Sequence, residues 1–142
     1  MRKKGVVRRA IVTPDKHFPL HDLPAIKVVC KAIELVKPCT YIDLGDTGEW
    51  ELFSKHYWRD REQPPLELLI PMLDAEVDGV NEGMDIIDAS LDKAKCKKRH
   101  FIQGNHELWL DNFVTKHPYL PQYRTEKALN LKERGYKYWK YV

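Results

Sequence analysis

Three short stretches of the sequence contain residue types that are common metal ligands, and each follows a short apolar run. The residues are Asp15 and His17 in the first stretch, Asp46 in the second, and Asn105 with His106 in the third. An apolar run of this kind indicates a buried strand, so each stretch would place oxygen or nitrogen donors at the carboxyl end of a strand. Three such ends in one sheet predict a metal site.

The donor types favour one or two hard divalent cations. Asp15 and His17 can reach one ion and Asn105 the other, while Asp46 has two oxygens with which to bridge them. Two ions about 3.5–4 Å apart polarise a phosphoryl oxygen and generate hydroxide at neutral pH. His106 lies next to a ligand, from where it can hydrogen-bond the phosphate or protonate the leaving oxygen. The expected reaction is hydrolysis of a phosphoester.

Each stretch taken alone has a simpler interpretation. Asp15 and His17 are also typical of an ordinary turn with an exposed histidine, and Gly45 before Asp46 is frequent in turns. Within Gly104–Glu107, the Asn and Glu side chains could simply cap the next helix. The order of the three stretches and their shared strand context are what favour the metal site.

The elements that position these residues form a predicted α/β fold with a mixed or parallel sheet. Strands are expected at 8–13, 41–44, 101–102 and, as an outer strand, 136–142. Apolar residues spaced by three or four predict helices at 25–36, 107–116 and 125–134, and a long helical insert at 66–94. The succession of strand, helix and strand implies a right-handed parallel crossover.

The long insert leaves several alternatives open. It is either one long helix, which begins at residue 66 or just before Pro71, or two helices broken near Gly79 and Gly83. Its apolar face is expected to cover the sheet, the alternative being a contact with a second subunit. Residues 74–85 faintly resemble a calcium-binding loop, but Asn81 stands where that loop has an aliphatic residue. Helical periodicity runs through this stretch and disfavours calcium.

Length and composition predict a single domain spanning residues 1–142, of which 43% are hydrophobic. No apolar run approaches the roughly 20 residues of a membrane span. The basic start Met1–Lys4 is followed too soon by Arg8 and Arg9 for a signal peptide. A cytoplasmic location without membrane association is therefore expected. The three cysteines are odd in number and widely spaced, which predicts neither disulfides nor a cysteine-ligated zinc; they are Cys30, Cys39 and Cys96.

The net charge of +3 conceals a strong asymmetry. The segment from Glu62 to Asp92 contains nine acidic residues and no Lys or Arg, so the rest of the chain has 24 basic against 12 acidic residues. That remainder favours a surface for polyanions or phosphate groups. Alternatively, the basic residues solvate the surface and neutralise a carboxylate-lined metal site.

The chain resembles the calcineurin-like metallophosphoesterases through Asp15–Lys16–His17, Gly45–Asp46 and Gly104–Asn105–His106–Glu107. The turn at 17–22, Lys37–Pro38 before the second strand and the long acidic insert are similar to the phage and bacterial versions. The resemblance covers nearly the whole chain.

This resemblance implies a β-sandwich-like α/β fold with a dinuclear Mn, Fe, Zn or Mg centre. By it, Asp15 and His17 would bind the first metal, Asp46 would bridge, and Asn105 would bind the second. His106 would be the catalytic acid or a phosphate contact.

One departure from the family pattern leaves two functions open. The family has a further His and a Gly–His–x–His stretch in its second half, and the sequence to Val142 contains neither. The other four histidines are expected to be surface or structural residues; they are His21, His56, His100 and His117. The chain is therefore either a phosphoesterase whose missing ligands come from a partner chain, a subunit interface or a longer gene product, or a non-catalytic module that binds protein or nucleic acid.

The sheet and the charge pattern also suggest partners. A partial family sheet would leave an exposed edge, which a partner chain or a second copy in a homo-oligomer would cover. The basic remainder and the aromatic and basic tail favour DNA, RNA or nucleotides as substrates, and an ordinary phosphomonoester fits the same chemistry.

Overall fold

The chain folds as an α/β arrangement around a parallel sheet. The structure, a computed structural model, describes residues 7–140. Within them four strands lie in the order β1 to β4, and every neighbouring pair is parallel. The strands are β1 (Ala10–Thr13), β2 (Thr40–Asp43), β3 (Lys98–Ile102) and β4 (Tyr136–Trp139). The expectation of a mixed or parallel sheet is therefore met in its parallel form; the amino-terminal segment 1–6 and the predicted strand residues 141–142 lie outside the described residues.

Four helices flank the sheet, together with two short 3-10 turns at Glu51–Phe53 and Pro121–Tyr123. They are α1 (Leu23–Val36), α2 (Leu66–Lys93), α3 (Asn105–Lys116) and α4 (Thr125–Ala128). The first of them begins as its sequence predicts, because the side chain of Asp22 accepts a hydrogen bond from Ala25 N at 3.2 Å. Among the described residues, no helix has both the length and the apolar character needed to cross a membrane.

Helix α2 is one continuous helix of 28 residues. It starts five residues before Pro71 and runs unbroken through Gly79 and Gly83, so the alternative of two helices was wrong. A Cβ on Gly83 would lie 2.2 Å from the ring of Phe18, which shows that this glycine is needed for packing. The helix buries its apolar side within the core and contacts α1, as expected for a helix that covers the sheet.

The two faces of the sheet differ in burial. Strand register places Thr13, Asp43 and Phe101 on one side, and all three are buried. Successive strands are added in a single direction, so right-handed connections bring all the helices to that side. On the other side Val12 and Trp139 are 49% and 44% exposed. We call this second side the open sheet face; its residues are Ala10, Val12, Thr40, Ile42, Lys98, His100, Ile102, Lys137 and Trp139.

Several expectations from the sequence need correction. Strand β1 begins at Ala10 rather than at residue 8, and α3 begins at Asn105, two residues earlier than predicted. The predicted helix 125–134 is helical only to Ala128, because Asn130 has φ +50° and the chain continues in turns. The described residues form one sheet, without the second sheet of a β-sandwich. The three cysteines are free, as predicted.

Candidate metal centre

Three loops leave the sheet at the same edge, because β1, β2 and β3 are neighbouring parallel strands. We call them the first loop (14–19), the second loop (44–50) and the third loop (103–107), the last of which includes the first residues of α3. They contain all five residues that the sequence predicted for the site: Asp15, His17, Asp46, Asn105 and His106. The prediction that three strand ends converge is confirmed at the level of the backbone.

The first and second loops are joined by backbone hydrogen bonds that continue the pairing of β1 with β2. Asp15 N donates to Gly45 O at 3.2 Å, and His17 N donates to Asp46 O at 3.1 Å. Further along, Phe18 N donates to Thr47 O at 2.8 Å. The two loops therefore hold Asp15, His17 and Asp46 in a fixed register.

Three of the four predicted metal ligands have left-handed backbone conformations. The φ angles are +48° at Asp15, +50° at His17 and +48° at Asp46. A non-glycine residue in this region costs on the order of 1–2 kcal/mol, and such residues concentrate at binding and catalytic sites. The backbone hydrogen bonds between the two loops hold these residues in their strained conformations.

The second and third loops touch backbone to backbone at two glycines. A Cβ on Gly45 would lie 2.2 Å from Gly104 N, and one on Gly104 would lie 2.3 Å from Asp46 Oδ1. Gly45 also has φ +88°. No side chain fits at either position, so both motif glycines are required by the approach of the loops.

Glu107 connects the second and third loops through its fully buried carboxylate. It accepts hydrogen bonds from Asp46 N at 2.8 Å, Thr47 N at 2.9 Å and Gly48 N at 3.2 Å. It also accepts from Gly104 N at 3.0 Å and so caps α3. Burial raises the pKa of this carboxyl. Sequence reasoning assigned Glu107 only a possible capping role and missed this contact between loops.

A buried ion pair lies beneath the first and second loops. Lys16 Nζ is 2.7 Å from Asp43 Oδ1, and both side chains are almost fully buried. The same oxygen accepts from Gly45 N at 3.1 Å and from Thr47 Oγ1 at 2.8 Å. Asp43 therefore anchors the second loop where it leaves β2.

Among the described His, Cys, Asp and Glu residues, one group of three has side-chain donors close enough to hold a metal ion, and it consists of His17, Glu49 and His106. One donor atom from each lies within 4.8 Å of the others, and His17 Nδ1 is 2.8 Å from Glu49 Oε2. The two imidazole rings meet edge to face with centroids 4.8 Å apart. The His106 ring also stacks on Trp109 at 4.1 Å. We call these three residues the His/Glu/His cluster.

The other predicted ligands reach this edge without joining the cluster. Among the described His, Cys, Asp and Glu residues, Asp15 and Asp46 do not belong to a group of three with donors within 4.8 Å. Asp46 Oδ1 accepts from His106 N at 2.9 Å, and Asp15 and Asn105 are exposed. Their roles as ligands stay predictions. Glu49 was missed, although it stands three residues after Asp46 in the same loop.

A cavity of about 180 Å³ adjoins the cluster and is strongly acidic. Burial raises the pKa of Glu76 to about 7, and the charges of Glu49 and Glu51 add to the effect. Glu76 accepts from Trp50 N at 2.6 Å. The lining residues are Pro19, Leu20, Glu49, Glu51, Leu52, Tyr57 and Glu76. Carboxylates beside two imidazoles suit a divalent cation, so the donor set fits a metal ion.

The remaining histidines lie outside the cluster. His21 contacts the Phe18 ring, His117 ends α3, and His56 is exposed. His100 lies on the open sheet face and accepts from Trp139 Nε1 at 3.1 Å. These positions agree with the expectation of surface or structural roles.

Comparison of the chain with protein-family models, with curated proteins and with solved structures finds no match. The resemblance to the metallophosphoesterases therefore stays a prediction from the three sequence motifs.

Proposed function

We propose that this chain provides the metal-binding edge of a metal-dependent phosphoesterase with a dinuclear centre, on a partial calcineurin-like fold. The observation that carries the proposal is the convergence of three loops through hydrogen bonds, with left-handed backbone at Asp15, His17 and Asp46. Strain maintained at three chemically suitable residues is expected where a site must be held in one geometry.

Each residue has a role in this proposal. Asp15 and His17 would hold one divalent ion, Asp46 would bridge, and Asn105 would hold the second. Mn, Fe, Zn or Mg would polarise the phosphoryl oxygen and supply hydroxide. His106 donates its backbone N–H to Asp46 Oδ1, so the residue lies next to the proposed bridging ligand. From there it would contact the phosphate or protonate the leaving oxygen.

The substrate class is a phosphoester, with a nucleic acid or a nucleotide among the candidates. Lysines surround an open cavity of about 550 Å³ at the amino ends of β3 and β4; they are Lys97, Lys98, Lys132 and Lys137. This basic cavity lies at the opposite end of the strands from the loops. A small phosphoester would occupy the loops alone, whereas a nucleic acid could contact both.

A second candidate function is a binding module without turnover. The observation that favours it is the open sheet face, where Val12 and Trp139 are 49% and 44% exposed. Parallel sheets normally have both faces covered, so a partner chain or a second copy would stabilise this surface. Such a partner could also supply the ligands that complete the metal centre.

Metal content and turnover distinguish the two functions. The protein is loaded with Mn²⁺, its metal is counted by elemental analysis, and hydrolysis of bis-p-nitrophenyl phosphate is followed. Asp46→Asn keeps the acceptor for His106 N but removes the charge; Asp60→Asn, at an 89% exposed side chain, is the matched control. Two bound ions per wild-type chain, with turnover that D46N loses and D60N keeps, support the enzyme. Zero or one ion and no turnover in the wild type support the binding module.

A further inference from the structure

Glu49 has no role in the proposed dinuclear centre, yet its carboxylate is central to the His/Glu/His cluster. Its Oε2 lies 2.8 Å from His17 Nδ1, and its side chain is only 23% exposed. Donors bound to one ion at about 2.1 Å each are typically about 3 Å apart and at most about 4.2 Å apart. One donor atom from each residue lies within 4.8 Å of the others, which exceeds this upper limit by less than about 1 Å.

The orientation of His106 also suits a metal ligand. Its Nδ1 contacts the backbone oxygen of Glu49. A carbonyl oxygen only accepts, so Nδ1 carries the proton and Nε2 keeps a free lone pair. Ligating histidines characteristically donate their other ring N–H to a backbone carbonyl or a carboxylate. Stacking on Trp109 at 4.1 Å further restricts rotation of the ring.

The local charge favours a cation. Glu49, Glu51 and Glu76 line one cavity. Among the described residues, none of these three carboxylates forms an ion pair with a lysine or arginine. An ion held by the cluster would compensate this negative charge at short range.

We propose that His17, Glu49 and His106 together bind one transition-metal ion. Two imidazoles and one carboxylate select Zn²⁺, Co²⁺, Ni²⁺ or Fe²⁺ over the hard ions Mg²⁺ and Ca²⁺. The site deepens the proposed function, on which it rests through the shared ligand His17. In this site His106 is a metal ligand, which replaces the acid or phosphate contact assigned to it in the dinuclear centre, and Glu49 joins the ligand set.

Cobalt binding tests the site independently of turnover. The metal-free protein is titrated with Co²⁺, and its visible d–d absorption and bound cobalt are measured with and without millimolar Mg²⁺. We compare the wild type with Glu49→Gln, which keeps the size of the side chain, and with Glu51→Gln, a control in the same cavity. Circular dichroism establishes that each variant is folded.

We expect E49Q and His106→Gln each to lose one equivalent of cobalt and its absorption band, with affinity reduced at least tenfold. E51Q should bind as the wild type does, and Mg²⁺ should not displace the ion. Full cobalt stoichiometry and an unchanged spectrum in both folded E49Q and folded H106Q would overturn the proposal.

The outcomes separate this site from the phosphoesterase. If the cluster is not a metal site but the enzyme is real, D46N loses metal and turnover, whereas E49Q keeps its full metal content. If the phosphoesterase proposal fails, the wild type shows no turnover, yet the cobalt band and its loss in E49Q still identify the site.

Discussion

At the scale of single residues, the site combines side chains for chemistry with side chains that only hold loops. Glu107 belongs to the second kind: it is fully buried and accepts four backbone N–H groups. A carboxylate has lone pairs for all four donors, whereas an amide has one oxygen and turns an NH₂ group toward the rest. The loops therefore need an acid at this position even if it never touches substrate.

Glu107→Gln should lower the free energy of unfolding by about 2–4 kcal/mol, because buried N–H donors lose their acceptor. Urea denaturation followed by circular dichroism measures the change. Glu126→Gln, at an exposed glutamate in α4, is the control and should have little effect. Equal stability of E107Q and E126Q would contradict the role of the buried carboxylate.

Glu76 should make stability depend on pH. Burial raises its pKa to about 7 from 4.5, so the folded protein retains a proton that the unfolded chain has already released. Stability should therefore fall as the pH rises from about 4.5 to 7, by about 2–3 kcal/mol. Glu76→Gln keeps the acceptor for Trp50 N and removes this loss.

The comparison uses chemical denaturation at pH 5 and pH 8 in the presence of EDTA. E76Q should match the wild type near pH 5 and exceed its stability at pH 8. Glu82→Gln, at an exposed glutamate in α2, should follow the wild type at both values. The idea fails if the wild type and E76Q lose the same stability between pH 5 and pH 8.

The types and order of Asp15, His17, Asp46 and Asn105 predicted a site at one edge of the sheet, and the fold places all four residues at that edge. Glu49 was not predicted, because its place beside His17 depends on how two loops pair rather than on any local pattern. A Gly–Asn–His–Glu stretch is compatible with a simple helix cap, and only the fold shows that Glu107 reaches across to the second loop.

At the scale of elements, α2 positions the first loop by close contact at its glycines. Phe18 is fully buried against Gly83, and it follows His17 directly in the chain. Pro19 packs against Gly79 at a less crowded distance, 3.0 Å from a Cβ placed there. Helix α2 therefore holds the first loop in position through these contacts.

Gly83→Ala should destabilise the protein by about 1–3 kcal/mol, because its methyl group would overlap the Phe18 ring at 2.2 Å. Gly79→Ala is the matched control: a contact of 3.0 Å requires a small adjustment, and alanine favours a helix by about 1 kcal/mol. Thermal unfolding should give a lower Tm for G83A and a nearly unchanged Tm for G79A. Similar Tm values for both variants would show that Phe18 adapts freely.

Element types were easier to predict than their ends. The spacing of apolar residues was sufficient for α1 and α2, whose faces are buried over many turns. It failed after Ala128, where Asn130 adopts a left-handed conformation and Arg134 Nε bonds to Leu129 O at 3.0 Å. Tertiary contacts of this kind override the helical spacing of apolar residues, and that spacing does not reveal them.

At the scale of the whole molecule, the loops and the basic cavity lie at opposite ends of the same strands. Lys98 starts β3, and the third loop follows its last residue, Ile102. Five residues of strand separate them by about 15 Å. A single-stranded nucleic acid running along the open sheet face would reach both ends and could stack on Trp139.

The double variant Lys98→Ala/Lys137→Ala should weaken binding of single-stranded DNA about fivefold or more at low salt, since two phosphate contacts are lost. Fluorescence anisotropy with a labelled 12-nucleotide strand measures the Kd. Lys27→Ala/Lys31→Ala, on exposed positions of α1, should leave it unchanged. Equal losses in both double variants would mean that charge alone, and not this face, governs binding.

Strand, helix and strand patterns predicted an α/β fold with a mixed or parallel sheet, and the sheet is parallel. They could not show that successive strands are added in one direction, which gathers the helices on one side and leaves the other side uncovered. Alternation of apolar and polar residues in short strands does not distinguish a sheet face that packs on helices from one that is left uncovered.

The loops are connected in series, the first to the second by backbone pairing and the second to the third by Glu107. The residues of the candidate centre consequently come from positions far apart in the chain, and none of the loops can complete it alone. Metal binding would then depend on correct folding. An ion that binds only when all three loops are in position stabilises only chains in which β3 is already paired in the sheet.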